Sequence, residues 1–386
     1  MRVMMDGFFK EFHIGTYCLS HNARDEEHVR ELAECGIDLI FYVNNDSALL
    51  DLLQKYGVRA VVNGVLPGWF GADGKNAGTM QGVNTEDKYI RGAEAFTDHP
   101  AIVGIDIGDE PSSLDFPYYG KVAELLFGLF PGKLLYLNIY PSYGMLADAG
   151  CEQAKAELGT DTYAEYLEKY CECVKLPYLS IDHYLYSSDM DRFLSDLSDA
   201  SDASRRHSRH LMVVLQVNSK DQNIFLSADQ LRIEAWCALA YGARSISWAC
   251  YQGGWWHNNV LDKDGCKTEQ YEKLKTVNRE LRTLTEDYCD YSVTRTTLLK
   301  SGDTLCTESF GKIITDGDVL IGEFKGNGDK YALFCVPLNF ENSITMTFES
   351  AGTASLSYRA VAKDLYTIVG NDKISFRDSP IFIYSK

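Results

Sequence analysis

Eight short apolar runs recur along the first 290 residues, each followed by a segment whose apolar positions fall three and four apart. The runs are FHIGTYCL (12–19), IDLIFYVN (37–44), VRAVVNGVLP (58–67), AIVGIDIG (101–108), KLLYLNIYP (133–141), YLSIDHYLY (178–186), LMVVLQVN (211–218) and ARSISWACY (243–251). Short runs rich in β-branched and aromatic residues read as buried strands, and the segments between them as amphipathic helices. Several helices carry start signals. Asp25 precedes EEHVRELAECG, which Gly36 closes, and Ser47, Thr162 and Thr268 precede further helical patterns. Ser227 opens a Ser-x-x-Gln box with Gln230. In each case a short polar side chain is placed to accept a free N–H of the first turn.

Eight strand–helix pairs in this length predict a (β/α)8 barrel over residues 1–290. A doubly wound sheet would open with a glycine-rich turn after its first strand, and here SHNARDEEH follows instead. From Tyr291 the pattern changes. TTLLKSG, VLIGEFKGNGDKYALFCVPLN, SITMTFES, ASLSYRAV and SPIFIYSK read as strands, with GNGD (326–329) a hairpin turn. Residues 291–386 are therefore expected to form a small all-β sandwich. The polar stretch 195–209, SDLSDASDASRRHSR, reads as a frayed helix end running into a loop.

Composition narrows the partners. With 386 residues, 45% of them hydrophobic and 24% charged, the chain can bury a large core. A formal net charge of -18 repels polyanions, which argues against nucleic acid and anionic membrane surfaces. No apolar run reaches the length of a membrane span, and MRVMMDGFFKEFHIGTY lacks the pattern of a signal peptide. A cytoplasmic location is expected, unless a leader has been trimmed and the protein is exported. The sequence does not bear on oligomeric state. The eleven cysteines, among them Cys237, Cys250 and Cys335, mostly sit in apolar patterns and read as packing residues. Cys171 and Cys173 have neither zinc nor redox spacing. No phosphate loop and no metal-ligand spacing occurs, so neither cofactor nor metal is expected.

In a barrel, catalytic groups lie where strands meet the loops that follow them. Strand three leads into Trp69, and strand four ends Gly108-Asp109-Glu110-Pro111. Strand five supplies Asn138 and Tyr140, strand six Asp182, His183 and Tyr184, and strand seven Gln216 and Asn218. Strand eight supplies Trp248 and Tyr251, followed by Trp255 and Trp256. Amides and carboxylates suit sugar hydroxyls, and aromatic rings suit the C–H faces of sugars, so this rim fits a carbohydrate. Period-2 alternation sets Asp106, Gly108 and Glu110 on the inner side of strand four and Asp109 on the other, as a support. Glu110 is the expected general acid. Asp182 is the expected second carboxylate, as base or nucleophile, or else a group that orients its neighbours.

At these strand ends the chain resembles TIM-barrel glycoside hydrolases of gut bacteria, related to the retaining clan of β-galactosidases and cellulases. The motifs are GDEPSSLDFP, YLNIYPSYG, SIDHY and QLRIEAWCALAYGARSISWACYQ. The first stands where that clan carries Asn-Glu-Pro with its acid/base glutamate, which the resemblance carries over to Glu110. The clan's nucleophile glutamate ends strand seven, and here the strand reads VVLQVNS, with no carboxylate. An amide cannot form the covalent intermediate. The expectation is thus a glycoside hydrolase, with a non-hydrolytic carbohydrate-binding protein as the alternative.

Overall fold

The computed structural model describes residues 7–70, 76–145, 157–254, 256–340, 342–349, 352 and 355–385. The eight expected strands form as β1 (His13–Tyr17), β2 (Leu39–Asn44), β3 (Arg59–Asn63), β4 (Ile102–Asp109), β5 (Leu134–Asn138), β6 (Tyr178–Asp182), β7 (His210–Gln216) and β8 (Ala243–Ala249). They make one parallel sheet in the order β5-β4-β3-β2-β1-β8-β7-β6. β1 pairs with both β2 and β8. The ring draws together between β5 and β6, where the Ile139 N–H donates to the Ser180 carbonyl at 2.9 Å. This is the predicted (β/α)8 barrel.

The helices are α1 (Glu26–Glu34), α2 (Ser47–Lys55), α3 (Met80–Val83), α4 (Glu86–Ala95), α5 (Phe116–Leu129), α6 (Tyr163–Cys173), α7 (Met190–Arg206), α8 (Ala228–Ala240) and α9 (Glu269–Leu284). Asp25 caps α1, accepting from the His28 N–H. Thr162 and Glu165 form a reciprocal capping box on α6. At α2 the cap is Asp46, which accepts from the Ala48 N–H, and Ser47 is the first helical residue. Residues 195–206, expected to fray, are regular helix within α7. Phe193, Leu194, Leu197, Ala200 and Ala203 recur on one face and are buried, and small Ser201 and Ser204 are buried beside them. Helical spacing of modest apolar residues outweighs the polar composition.

The remaining strands are β9 (Ser292–Leu299), β10 (Thr304–Cys306), β11 (Lys312–Thr315), β12 (Val319–Lys325), β13 (Tyr331–Pro337), β14 (Ile344–Glu349), β15 (Leu356–Ala360), β16 (Tyr366–Ile368), β17 (Lys373–Phe376) and β18 (Ile381–Ser385). They form two five-stranded sheets, β10-β11-β14-β17-β16 and β15-β18-β13-β12-β9. Ile313, Met346, Phe348, Ile374 and Phe376 of one sheet share a core with Val319, Ile321, Leu333, Cys335, Ile381 and Ile383 of the other. That is the expected sandwich. The centre of the second sheet is buried on both faces, since Phe324, Phe334 and Phe382 on its other side pack against the Tyr288 ring. Its central strands β12, β13 and β18 are accordingly mostly apolar, whereas the edge strands β9 and β15 are polar and more exposed.

The chain divides into two compact units. One holds residues up to Phe9, His13–Ser227 and Ser245–Lys275; the other holds Lys10–Phe12, Ala228–Arg244 and Thr276–Lys386. Helix α8 belongs to the second unit, where it lies on β12 and β13. Among the described residues no helix is long and apolar enough to cross a membrane.

Candidate active site

On β5 and β6 simple alternation holds, and every second side chain turns into the barrel. The inward residues join in one line of hydrogen bonds. The Tyr17 and Tyr136 hydroxyls meet, and the Tyr136 hydroxyl lies 3.3 Å from Ser180 Oγ. Ser180 Oγ then donates to Asn138 Oδ1 at 2.9 Å. Asn138 Nδ2 donates to Asp182 Oδ1 at 2.8 Å. This polar column leads upward through the barrel and ends at the Asp182 carboxylate, which is 3% exposed. Its orientation of the Asn138 amide makes a donor face Asp182.

On β4 the alternation breaks. Asp106 pairs with Tyr136, but Gly108 pairs with Leu137 and Asp109 with Asn138, so Ile107 is an inserted residue. Asp109 therefore stands in register with inward-facing Asn138, on the same side as Asp106, and not on the far side as alternation implied. Gly108 adopts φ 145°, and a Cβ there would lie 2.1 Å from the Tyr119 hydroxyl oxygen. Glu110 follows at φ 43°, a left-handed conformation that only a tightly held non-glycine residue adopts. The Asp109 N–H donates to the Trp69 carbonyl at 2.9 Å and the Glu110 N–H to the Asn138 carbonyl at 3.0 Å. These two bonds lock the turn, and the bulge delivers two consecutive carboxylates, Asp109 and Glu110, to one rim.

The three rim carboxylates act on each other. Burial, then the charges of Asp182 and Asp109, and then a hydrogen bond to Asp182 raise the Glu110 pKa well above the carboxylate range. Burial and the Asp109 charge push Asp182 up to about 7, against hydrogen bonds from Asn138 and Tyr184. Burial pushes Asp109 up to about 6, against hydrogen bonds from Tyr42 and Asn138. Carboxyl groups within hydrogen-bond reach hold a proton between them, because both cannot ionise at low cost. Glu110 is the donor of that pair, and Asp109 stands beside it, held by the Tyr42 hydroxyl and the Asn138 amide. Deeper in the barrel, Asp106 is raised well above its ordinary value by burial and by Asp109. One of its oxygens is buried without a hydrogen-bond partner.

Around the carboxylates stand several of the expected aromatic residues. The Tyr140 hydroxyl is buried without a hydrogen-bond partner, next to Glu110. Trp69 likewise has a buried indole N–H without a partner. Tyr184 bonds Asp182 and meets the Trp256 ring edge-on at 4.9 Å. Trp255 lies outside the described residues. Other expected residues are turned away from the rim. His183 has no exposed surface, and its ring bridges Asp196 Oδ2 at 2.8 Å and Ser188 Oγ at 2.7 Å. Following Asp182 on the strand, it points outward to α7. Trp248 and Tyr251 are fully buried. Tyr251 faces Cys35 and Tyr271, behind the strands. Gln216, by contrast, stands two residues beyond the Val214 that pairs with inward Asp182, and shares that inward side. It is 1% exposed; its Oε1 accepts from the Tyr186 N–H and its Nε2 donates to the Asn218 carbonyl.

Three residues of the site were not singled out from the sequence. Tyr42 bonds Asp109 and takes φ 56° at a second bulge, between Phe41 and Val43. Tyr143 follows β5, accepts from the Tyr184 N–H at 3.3 Å and lies near Asp182. Glu157, 9% exposed, adds negative potential at Glu110 and Tyr140. Among the described residues no three metal-type side chains gather to hold an ion.

No protein-family model and no curated protein matches the chain. Solved structures do match in fold. A glycoside hydrolase family 5 structure from Bacteroides vulgatus ATCC 8482 superposes with a TM-score of 0.57 at 10% identity, covering 97% of this chain and 89% of that one. A second, described as a glycoside hydrolase, gives 0.54 at 9% identity over 97% and 92% of the two chains. The chain has the fold of the TIM-barrel glycoside hydrolases.

Proposed function

We propose that the protein is a glycoside hydrolase in which Glu110 is the general acid. The observation that carries this reading is the hydrogen-bonded Glu110–Asp182 pair, with Asp109 alongside, at the rim of a glycosidase-like barrel. Burial and neighbouring negative charge keep a proton on Glu110 at neutral pH, the state a leaving-group acid needs. The unpartnered Tyr140 hydroxyl and Trp69 indole N–H supply donors for sugar hydroxyls.

Asp182 takes a different part from the base or nucleophile read from its strand. Those roles need carboxyl separations of about 6.5–9.5 Å or about 5–5.5 Å, with the sugar or a water between. A directly hydrogen-bonded pair is closer than either. In our reading Asp182 holds the proton on Glu110, and Asn138, Tyr184 and the column beneath hold Asp182.

The test is turnover of aryl glycosides and oligosaccharides by wild type and by Glu110→Gln. Wild type is expected to hydrolyse, and the variant to lose about 10³-fold or more in kcat while still binding. The loss should shrink for dinitrophenyl leaving groups, which need no acid. Undiminished turnover by the variant on unactivated substrates overturns the assignment. The satisfied amide of Gln216, where the clan has a nucleophile, favours a second reading, a carbohydrate-binding protein. Saturable binding without turnover would select it.

A further inference from the structure

If Glu110 is the acid, as proposed above, the reaction still needs a nucleophile at the anomeric carbon. Among the described residues the strand ends offer no free one on the opposite side, and Glu157, which acts on Glu110 and Tyr140, precedes α6 and stands on no strand end. Gln216 closes β7 with both ends of its amide engaged. Asp182 is bonded to Glu110 and Asn138. Asp106 lies one layer deeper.

Asp109 remains, and it is on the wrong side to attack. The bulge sets it directly beside the acid, so the two act on the same face of a bound sugar. Its protein partners, the Tyr42 hydroxyl and the Asn138 amide, are both donors, which fits an ionised acceptor. The rim thus presents a proton donor and an anionic acceptor side by side. The groups acting on Asp109, Glu110 and Asp182 are carboxylates, phenols and amides, so the field disfavours an anionic sugar. An acceptor beside the acid is of use when the substrate brings its own nucleophile attached to a group with an N–H to give.

We propose that the substrate is a 1,2-trans glycoside of a 2-acetamido-2-deoxy sugar, whose acetamido oxygen is the nucleophile and whose N–H is held by Asp109. In the first step Glu110 gives its proton to the glycosidic oxygen. The C1–O bond to the leaving group breaks as the acetamido carbonyl oxygen bonds to C1 from the opposite face. This closes an oxazolinium ring, and its positive N–H is paired with the Asp109 carboxylate. In the second step the Glu110 carboxylate takes a proton from water. The water oxygen bonds to C1, the ring C1–O bond breaks and the acetamido group is restored. One water is consumed, Glu110 is again protonated, Asp109 is unchanged and the anomeric configuration is retained. An attached nucleophile reaches effective concentrations of about 10⁵–10⁸ M, which compensates for the missing protein nucleophile.

The test uses the wild-type chain and matched 4-nitrophenyl β-glycosides of glucose, galactose and their 2-acetamido counterparts, with 2-trifluoroacetamido analogues. The acetamido sugars are expected to be turned over at least 100-fold better than the hydroxy sugars, a preference of the size that one positioned group supplies (about 10²–10³). Fluorination should lower kcat/KM by a similar factor, because it weakens the carbonyl oxygen as a nucleophile. Asp109→Asn should lower kcat by about 10²–10³. A thiazoline mimic of the ring should inhibit wild type competitively. Equal turnover of the 2-hydroxy sugars, or an acetamido preference without sensitivity to fluorine, overturns this inference and leaves Glu110 as the acid. Absence of turnover on every substrate overturns both this inference and the hydrolase reading. The fluorine series needs no variant, so a misfolded Asp109→Asn would not blunt it.

Discussion

Strands four and seven end on the same rim and differ in almost every physical respect. Strand four is bulged at Ile107, passes through Gly108 at φ 145° and Glu110 at φ 43°, and carries acids with raised pKa values. Around it, Trp69 and Tyr140 keep polar atoms without partners. Strand seven is regular and buried along nearly its whole length, and its last side chain, Gln216, spends both ends of its amide on neighbouring backbone. Polar groups that are buried, strained or unpaired cost stability and persist where they are used. Satisfied ones are architecture. In the proposed reading the difference puts the chemistry on strand four, while Gln216 at the end of strand seven ties down the Tyr186 N–H of the loop after strand six.

That contrast can be broken at either strand. The largest effect is expected from paired changes of the two end residues. Glu110→Gln should cost about 10³-fold or more in kcat with little change in Tm. Gln216→Ala should instead cost about 1–3 kcal/mol of stability, measured by denaturation, with a much smaller loss of turnover. The reverse pattern would exchange the roles of the two strands. Next, Gly108→Ala forces a Cβ against the Tyr119 hydroxyl and a non-glycine residue into a glycine conformation. It should lower stability by about 1–3 kcal/mol, and an unchanged Tm would mean that the bulge is not strained.

A smaller effect should follow pH. Glu110 and Asp182 bind protons more tightly in the folded state than unfolded, since their folded pKa values are raised. Their effect on stability is therefore most favourable below about pH 4 and is lost as pH rises from there through about 7. Wild-type Tm should fall between pH 5 and pH 8, apart from other titrations, and fall less in Asp182→Asn. An identical pH slope in the two proteins would deny the coupled pair. The smallest change is expected for Tyr140→Phe, which removes one donor to the ligand. A rise in KM of about tenfold or less, with Tm maintained, would mark its hydroxyl as a binding group.

Much of the fold was legible because its signals are periodic. All eight barrel strands fall within the apolar runs to within a residue or two, and the 326–329 turn joins β12 to β13 as read. Glu110 and Asp182 were legible as rim positions for the same reason. What failed was parity across an inserted residue. Nothing in IVGIDIGDE announces that Ile107 is skipped, so Asp109 was assigned to the wrong side; Tyr42, at the bulge of strand two, was missed. The opposite lesson holds for His183 and Trp248. Alternation alone turns His183 away from inward Asp182, and Trp248 away from Ser247, which faces Gly15 inside the barrel. Their residue types had suggested ligand contact, and parity was the better guide. Tyr143 stands in YLNIYPSYG but beyond the end of strand five, and Glu157 belongs to no motif; both reach the site only through the folded chain.

Helix α8 bears on how the chain can be divided. Nine of its residues are buried, among them Leu231, Trp236 and Leu239. Thr296 Oγ1 donates to the Ala240 carbonyl at 2.9 Å, and the Tyr288 hydroxyl donates to the Leu239 carbonyl at 2.7 Å. Gly322 is bare where a Cβ would sit 2.2 Å from that same Ala240 oxygen. The helix that leads from strand seven to strand eight is thus finished by residues beyond 287. A fragment cut at 290 would carry an apolar helix without its cover and would aggregate. The β-sandwich is not a detachable cassette, and recombination or fusion that treats it as one would dismantle the helix between two barrel strands.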